Sequence, residues 1–175
     1  VNGHFVNLAK KQLRDSEVKL AAVVGFPLGA NTTQSKVFEA REAISNGADE
    51  IDMVINLGML KSGDFAFIEA EISEIKKAIG NKVLKVILET CYLDQEEIKQ
   101  ASKAALKARA DFVKTSTGFG SRGASLEDVR IMKEVVGDKL EIKASGGIKD
   151  KETALQYLEL GVTRIGTSSG VAIIS

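Results

Sequence analysis

Short apolar runs alternate with amphipathic helical stretches along this chain, and that alternation admits few folds. Leu20 to Gly25 reads as a strand and Thr33 to Ser45 as a helix. Glu50 to Ile55, Val83 to Leu88, Phe112 to Thr115, Ile142 to Ala144 and Thr163 to Gly166 read as further strands. Apolar residues at helical spacing predict helices over Asp64 to Ile79, Asp94 to Ala108, Ser125 to Val136 and Lys151 to Leu160. Ser125-x-x-Asp128 has the pattern of a capping box. Strand starts recur every ~24–33 residues, the length of one βα unit. Such units build a parallel sheet, either closed as a barrel or open and wound on both faces.

The polar residues favour the barrel. They recur on one parity of the strands: Asp52 and Asn56, Lys85 and Glu89, Lys114, Lys143. The opposite parity is apolar: Ile51, Met53 and Ile55, then Leu84, Val86 and Leu88. Helices must cover the apolar face, so the polar set points inward, where a (β/α)₈ barrel builds its site. Asp49 and Glu50 read instead as capping or solvent-facing. The count of units falls short, since six strands are clear and Val1-Asn2 reads as the stump of another. A full barrel takes ~250 residues, against 175 in this chain. The expectation is one barrel domain over residues 1–175, incomplete at its N-terminus.

Composition excludes several classes of function. Lysine plus arginine balances aspartate plus glutamate at 24 each, so no basic surface for nucleic acid or membrane is expected. No apolar run approaches the ~20 residues that span a bilayer, and none reads as a signal peptide. One cysteine, Cys91, cannot form an internal disulfide, which points to a reducing cytoplasm. With His4 the only histidine, neither a zinc-type ligand cluster nor a His-centred triad is expected. Chemistry here is expected to run on lysine and carboxylate.

Lys114 and Lys143 end successive strands, where lysine has little structural purpose. Inward residues on adjacent strands stand ~5 Å apart at the backbone. Two ammonium groups ~6 Å apart repel by ~2.8 kcal/mol at an effective dielectric of ~20, about two pKa units. Burial acts in the same direction. One amine would then be largely neutral near pH 7 and nucleophilic toward a carbonyl, while the other stays protonated. The alternative is that both pair structurally with Glu89, Glu141 or Asp52, or snorkel out of the barrel. Asp52, inward on its strand, suits a proton shuttle, or a plain salt bridge to Lys85 or Lys143.

Three late loops are rich in small residues: Thr115-Ser116-Thr117-Gly118, Ser145-Gly146-Gly147 and Gly166-Thr167-Ser168-Ser169-Gly170. Loops after the last two strands of such barrels form a common phosphate site, with glycines admitting backbone N–H groups to the anion. Gly25-Phe26-Pro27-Leu28-Gly29 reads as a rigid corner, Cys91 as a small buried residue and His4 as structural or exposed.

These motifs together resemble the deoxyribose-phosphate aldolase family. The resemblance runs from Val23-Val24-Gly25-Phe26-Pro27-Leu28-Gly29 to the end. It is carried by Asn46-Gly47-Ala48-Asp49-Glu50-Ile51-Asp52-Met53-Val54, Val113-Lys114-Thr115-Ser116-Thr117-Gly118-Phe119, Lys143-Ala144-Ser145-Gly146-Gly147 and Arg164-Ile165-Gly166-Thr167-Ser168-Ser169-Gly170. It implies a class I aldolase on a (β/α)₈ barrel that reversibly cleaves 2-deoxy-D-ribose 5-phosphate to acetaldehyde and D-glyceraldehyde 3-phosphate. It further implies Lys114 as the Schiff-base lysine, Lys143 as its perturbing neighbour, and Asp52 as the acid/base carboxylate working through water. Gly118, Gly146, Gly147, Gly166, Ser168 and Ser169 would hold the phosphate. No cofactor and no metal are expected, and the enzyme is expected in the cytoplasm as a homodimer or homotetramer. The family's opening strand with its Asp-His-Thr motif has no counterpart before Val1-Asn2. Two other functions stay open: an idle truncated barrel that keeps the motifs, and a phosphosugar isomerase with no use for Lys114 as nucleophile.

Overall fold

The computed structural model describes residues 1–175. Six strands, β1 (Ala21–Val24), β2 (Glu50–Val54), β3 (Val83–Ile87), β4 (Phe112–Lys114), β5 (Glu141–Ser145) and β6 (Arg164–Gly166), pair in chain order, each parallel to the next. Eight helices accompany them: α1 (Val6–Gln12), α2 (Thr33–Ser45), α3 (Leu57–Lys61), α4 (Phe65–Ile79), α5 (Gln95–Lys107), α6 (Leu126–Val136), α7 (Lys151–Glu159) and α8 (Gly170–Ile174). Five of the strand-to-helix steps fall where the periodicity predicts them. The short helices α1, α3 and α8 carry too few turns to show a period.

The strands sort their side chains by parity, as expected. Ile51, Met53 and Ile55, Leu84, Val86 and Leu88, Val113, Ile142 and Ala144 join one continuous core of 37 buried residues shared with the helices. Val54, Ile87 and Phe112 are also buried but lie outside that cluster, on the opposite face. Helix α4 shows how a helix meets this core. Asp64 caps it by accepting from Phe67 N, and Ile68, Ile72, Ile75 and Ile79 form its buried stripe. Each fully buried isoleucine contributes roughly 1.5–3 kcal/mol.

The sheet curls. Arg164 on β6 reaches Glu50 on β2 at 3.2 Å across the concave face, although three strands separate them in the sheet. The result is a half-closed barrel, six strands of the eight that a complete ring requires. Beside β1, the Val1 amino group donates to Ala21 O at 2.7 Å and Val1 O accepts from Val23 N at 3.0 Å. That is the bonding of one more parallel strand, as the Val1-Asn2 stump suggested.

Three details differ from expectation. Asn56 does not face the concave side; its side chain caps α3 by accepting from Met59 N. The strand parity ends at Ile55, and past that point the loop decides the direction. Ser125 does accept from Asp128 N, but Asp128 turns to Arg122 at 2.5 Å, so only half the box forms there. The complete box is at α5, between Asp94 and Glu97. Glu50 is neither a cap nor solvent-facing, being 5% exposed and held by Lys85 and Arg164.

One buried ion pair lies behind the sheet. Lys36 of α2 bonds Glu71 of α4 and Val54 O, each at 2.8 Å, and Glu71 accepts from Asn56 N. Burial lowers the Lys36 amine and raises the Glu71 carboxyl. Together they fasten the end of β2 to the helices behind it.

Candidate active site

Asp52, Lys114 and Lys143 meet on the concave face. Strand register brings them there: Asp52 pairs with Lys85, Ile87 with Lys114, and Lys114 with Lys143. Lys114 Nζ donates to Asp52 Oδ2 at 2.8 Å and Lys143 Nζ donates to the same oxygen at 2.9 Å. Lys85 Nζ holds the other oxygen, Oδ1, at 2.8 Å. Neither Glu89 nor Glu141 pairs with these lysines. The salt-bridge alternative for Asp52 and the two-lysine cluster are thus one arrangement, with a third lysine added.

Lys85 links two layers. Its ammonium lies 2.5 Å from Glu50 as well as 2.8 Å from Asp52, and it is fully buried. Glu50 in turn meets Arg164, and Phe112 lies under Lys85 and Arg164 at 5.9 and 5.5 Å. Four basic side chains thus surround two carboxylates. Burial alone would raise the Asp52 carboxyl, but Lys114, Lys143 and Lys85 outweigh it and hold Asp52 well below the usual carboxylate range. Glu50 behaves likewise, with burial overcome by Lys85 and Arg164.

Lys143 moves the other way. Burial lowers its amine most, Asp52 opposes that, and Lys114 lowers it further. The proton deficit anticipated for this pair therefore shows on Lys143, the lysine expected to stay protonated.

A cleft of about 410 Å³ opens beside the lysines. Gly118, Gly146, Gly147, Gly166 and Ser168 line it with Lys114, Lys143, Thr117 and Phe119. Ser169 does not line it. Its N–H is taken by Thr167 Oγ1 at 2.9 Å, which starts the turn into α8. Neither Gly146 nor Gly147 gives its N–H to a backbone carbonyl, and both have positive φ, +84° and +80°. The loop after β4 is packed tightly under the loop after β5: a Cβ on Gly123 would stand 2.1 Å from Gly146 O. A second, larger recess of about 530 Å³ lies at the β1 side among Asn2, His4, Glu39, Glu42 and Asn46, with no lysine in it. No cluster of three His, Cys, Asp or Glu side chains that could hold a metal ion is present. No helix is long and apolar enough to cross a membrane.

A curled parallel sheet with lysines gathered on one carboxylate at its C-terminal end is the architecture of a barrel aldolase. A family model described as DeoC/LacD family aldolase matches residues 1–174, and the chain belongs to that family. A Thermoanaerobacter protein named deoxyribose-phosphate aldolase is 52% identical over 177 residues, covering 99% of this chain and 79% of that protein. Among solved structures, one described as "QR15, an Aldolase" superposes with a TM-score of 0.94 at 48% identity, covering 99% of this chain and 77% of that one. A deoxyribose phosphate aldolase from Aeropyrum pernix, described as having a unique tetrameric structure, gives a TM-score of 0.87 at 30% identity, covering 99% and 74%.

Proposed function

We propose that this chain is a class I aldolase that reversibly cleaves 2-deoxy-D-ribose 5-phosphate to acetaldehyde and D-glyceraldehyde 3-phosphate. The observation that carries this reading is the placement of Lys114 and Lys143 on one oxygen of Asp52, at the edge of a cleft walled by glycine loops. Lys114 is the nucleophile. Its neutral amine adds to the aldehyde carbon C1 of the open-chain sugar, and loss of water leaves an iminium. A base takes the C3 hydroxyl proton, the C2–C3 bond breaks, and its electron pair enters the iminium to give an enamine. D-Glyceraldehyde 3-phosphate departs, C2 takes a proton, and water releases acetaldehyde from the lysine.

The electrostatics suit these proton transfers. Lys143, lowered by burial, accepts the proton that Lys114 must lose, and Asp52 Oδ2 stands between the two amines. Asp52 is too acidic to retain a proton itself, so its role is to pass protons between amines and reacting oxygens. The free N–H groups of Gly146 and Gly147, with Gly118, Gly166 and Ser168, supply the phosphate cradle. The tetrameric relative supports a homo-oligomer. Placement in the cytoplasm rests on the free Cys91 thiol and on a phosphorylated sugar as substrate.

Reductive trapping tests the reading. Incubation with acetaldehyde and borohydride is expected to leave an ethyl group chiefly on Lys114, located by peptide mass spectrometry. Adducts spread evenly over surface lysines would rule out an activated amine at this site. The cradle has its own test in Gly123→Ala. The added methyl would meet Gly146 O and push the two loops apart, so KM for the phosphorylated sugar is expected to rise about tenfold, ~1.4 kcal/mol. An unchanged KM in steady-state rates would remove these loops from phosphate binding.

A further inference from the structure

Glu89 is a buried acid that the chemistry above does not use. It follows β3, is 2% exposed, and adopts a left-handed backbone with φ +54° and ψ +60°. Outside glycine, a backbone held there is sparsely populated and strained. Only Arg109 shares a positive φ among the other non-glycine residues. No lysine or arginine balances Glu89. Instead its carboxylate accepts from Thr117 twice: from the backbone N–H at 3.2 Å and from the side-chain hydroxyl. Thr117 lines the cleft beside Gly118.

The bonds continue through that hydroxyl. Thr117 Oγ1 accepts from Phe119 N at 3.0 Å. A hydroxyl has one hydrogen, and a carboxylate can only accept. Glu89 therefore fixes the direction of the hydroxyl hydrogen and keeps a lone pair free for the Phe119 N–H. Of the three consecutive N–H groups at residues 117–119, the first goes to Glu89 and the third to Thr117. The middle one, on Gly118 at φ +91°, makes no hydrogen bond within the chain, and Gly118 lines the cleft.

We infer that Glu89 is the positioning residue that selects the Gly118 N–H as the donor this loop offers to the substrate phosphate, and so sets preference for phosphorylated over unphosphorylated substrates. This rests on reading the cleft as a phosphate site. Glu89 acts through Thr117 and touches neither the lysines nor the reacting carbons. With glutamine in its place, one of its two acceptors becomes an amide donor. The Thr117 hydroxyl must then accept from that amide, in competition with the Phe119 N–H, or the Thr117 N–H loses its partner.

The test compares wild type, Glu89→Gln, Thr117→Val and Thr117→Ser in two assays. Calorimetric titration with inorganic phosphate reads the cradle, and acetaldehyde trapping reads the amine without any phosphate. Glu89→Gln and Thr117→Val are expected to bind phosphate about tenfold more weakly. Thr117→Ser, which keeps the hydroxyl, should stay within about twofold of wild type. Trapping should proceed alike in all four proteins. The inference is overturned if wild type binds no phosphate, if both weakening variants bind it normally, or if trapping falls in step with phosphate affinity. If Glu89→Gln fails to fold, the contrast between valine and serine at position 117 decides the same point. A wild type that binds phosphate but traps no acetaldehyde would sink the aldolase reading while the phosphate comparison still judges Glu89.

Discussion

Lys114→Met is expected to lose at least about 10⁴-fold in kcat/KM for 2-deoxy-D-ribose 5-phosphate, ~5.4 kcal/mol of transition-state stabilisation, because no covalent intermediate can form. It is also expected to fold at least as stably as wild type. Methionine keeps the length and volume of the side chain while removing one of four basic groups that share two carboxylates. Asp52 is not orphaned, since Lys143 retains Oδ2 and Lys85 retains Oδ1. Removing one partner of a buried pair is costly when it leaves the other charge uncompensated, and here two ammonium groups stay on Asp52. A gain of about 1 kcal/mol would raise Tm by roughly 2–4 °C in a chain of this size. Rates and thermal melts on one preparation check both halves. The informative contrary result is retained activity with the trapped ethyl group moved to Lys143. That outcome would make the amine lowered by burial the nucleophile, and Lys114 its neighbour.

Much of this site was open to sequence reading because strand parity has a period of two. Once Ile51, Met53, Leu84 and Val86 are assigned to the helix side, Asp52, Lys85, Lys114 and Lys143 must share the other face. Register between neighbours then brings the charges together without further information. What periodicity cannot supply is the direction of residues past a strand end. Asn56 and Glu89 both lie there; one became a helix cap and the other turned to Thr117 through a left-handed backbone. Contacts across the curl were equally hidden. Glu50 and Arg164 stand 114 positions apart in sequence and on strands that never pair. Parity alone points Lys85 inward, yet its grip on both Glu50 and Asp52 depends on a layer below the site that only three dimensions reveal. The Lys36–Glu71 pair was unreadable for a related reason, since a buried lysine on a helix looks in sequence like any surface lysine.

Asp52→Asn probes the same network from its negative centre, and its effects should differ from those of Lys114→Met in both respects. Activity is expected to fall about 10³-fold, within the range for losing a positioned proton carrier. Stability should fall as well, by about 3 kcal/mol at pH 7, because the substitution leaves buried cations without their counter-charge. The pH dependence has a definite sign. Asp52 raises the Lys143 amine, against burial and Lys114, so its loss drives Lys143 further below the free-lysine value of about 10.4. Between the folded and unfolded values, the unfolded chain binds more protons than the folded one, and stability must rise with pH. The deficit of Asp52→Asn should therefore shrink as pH climbs from 7 toward 10. At the acid end, the depressed Asp52 carboxyl contributes stability that is fully present above its unfolded value of about 3.9 and is lost as pH falls below it. Wild type and variant should converge there also, for a different reason. Urea unfolding at pH 3, 7 and 9.5 checks the pattern. A deficit that stays constant from pH 7 to 9.5 would show that Asp52 does not hold up the Lys143 amine, and would remove the electrostatic coupling between the two.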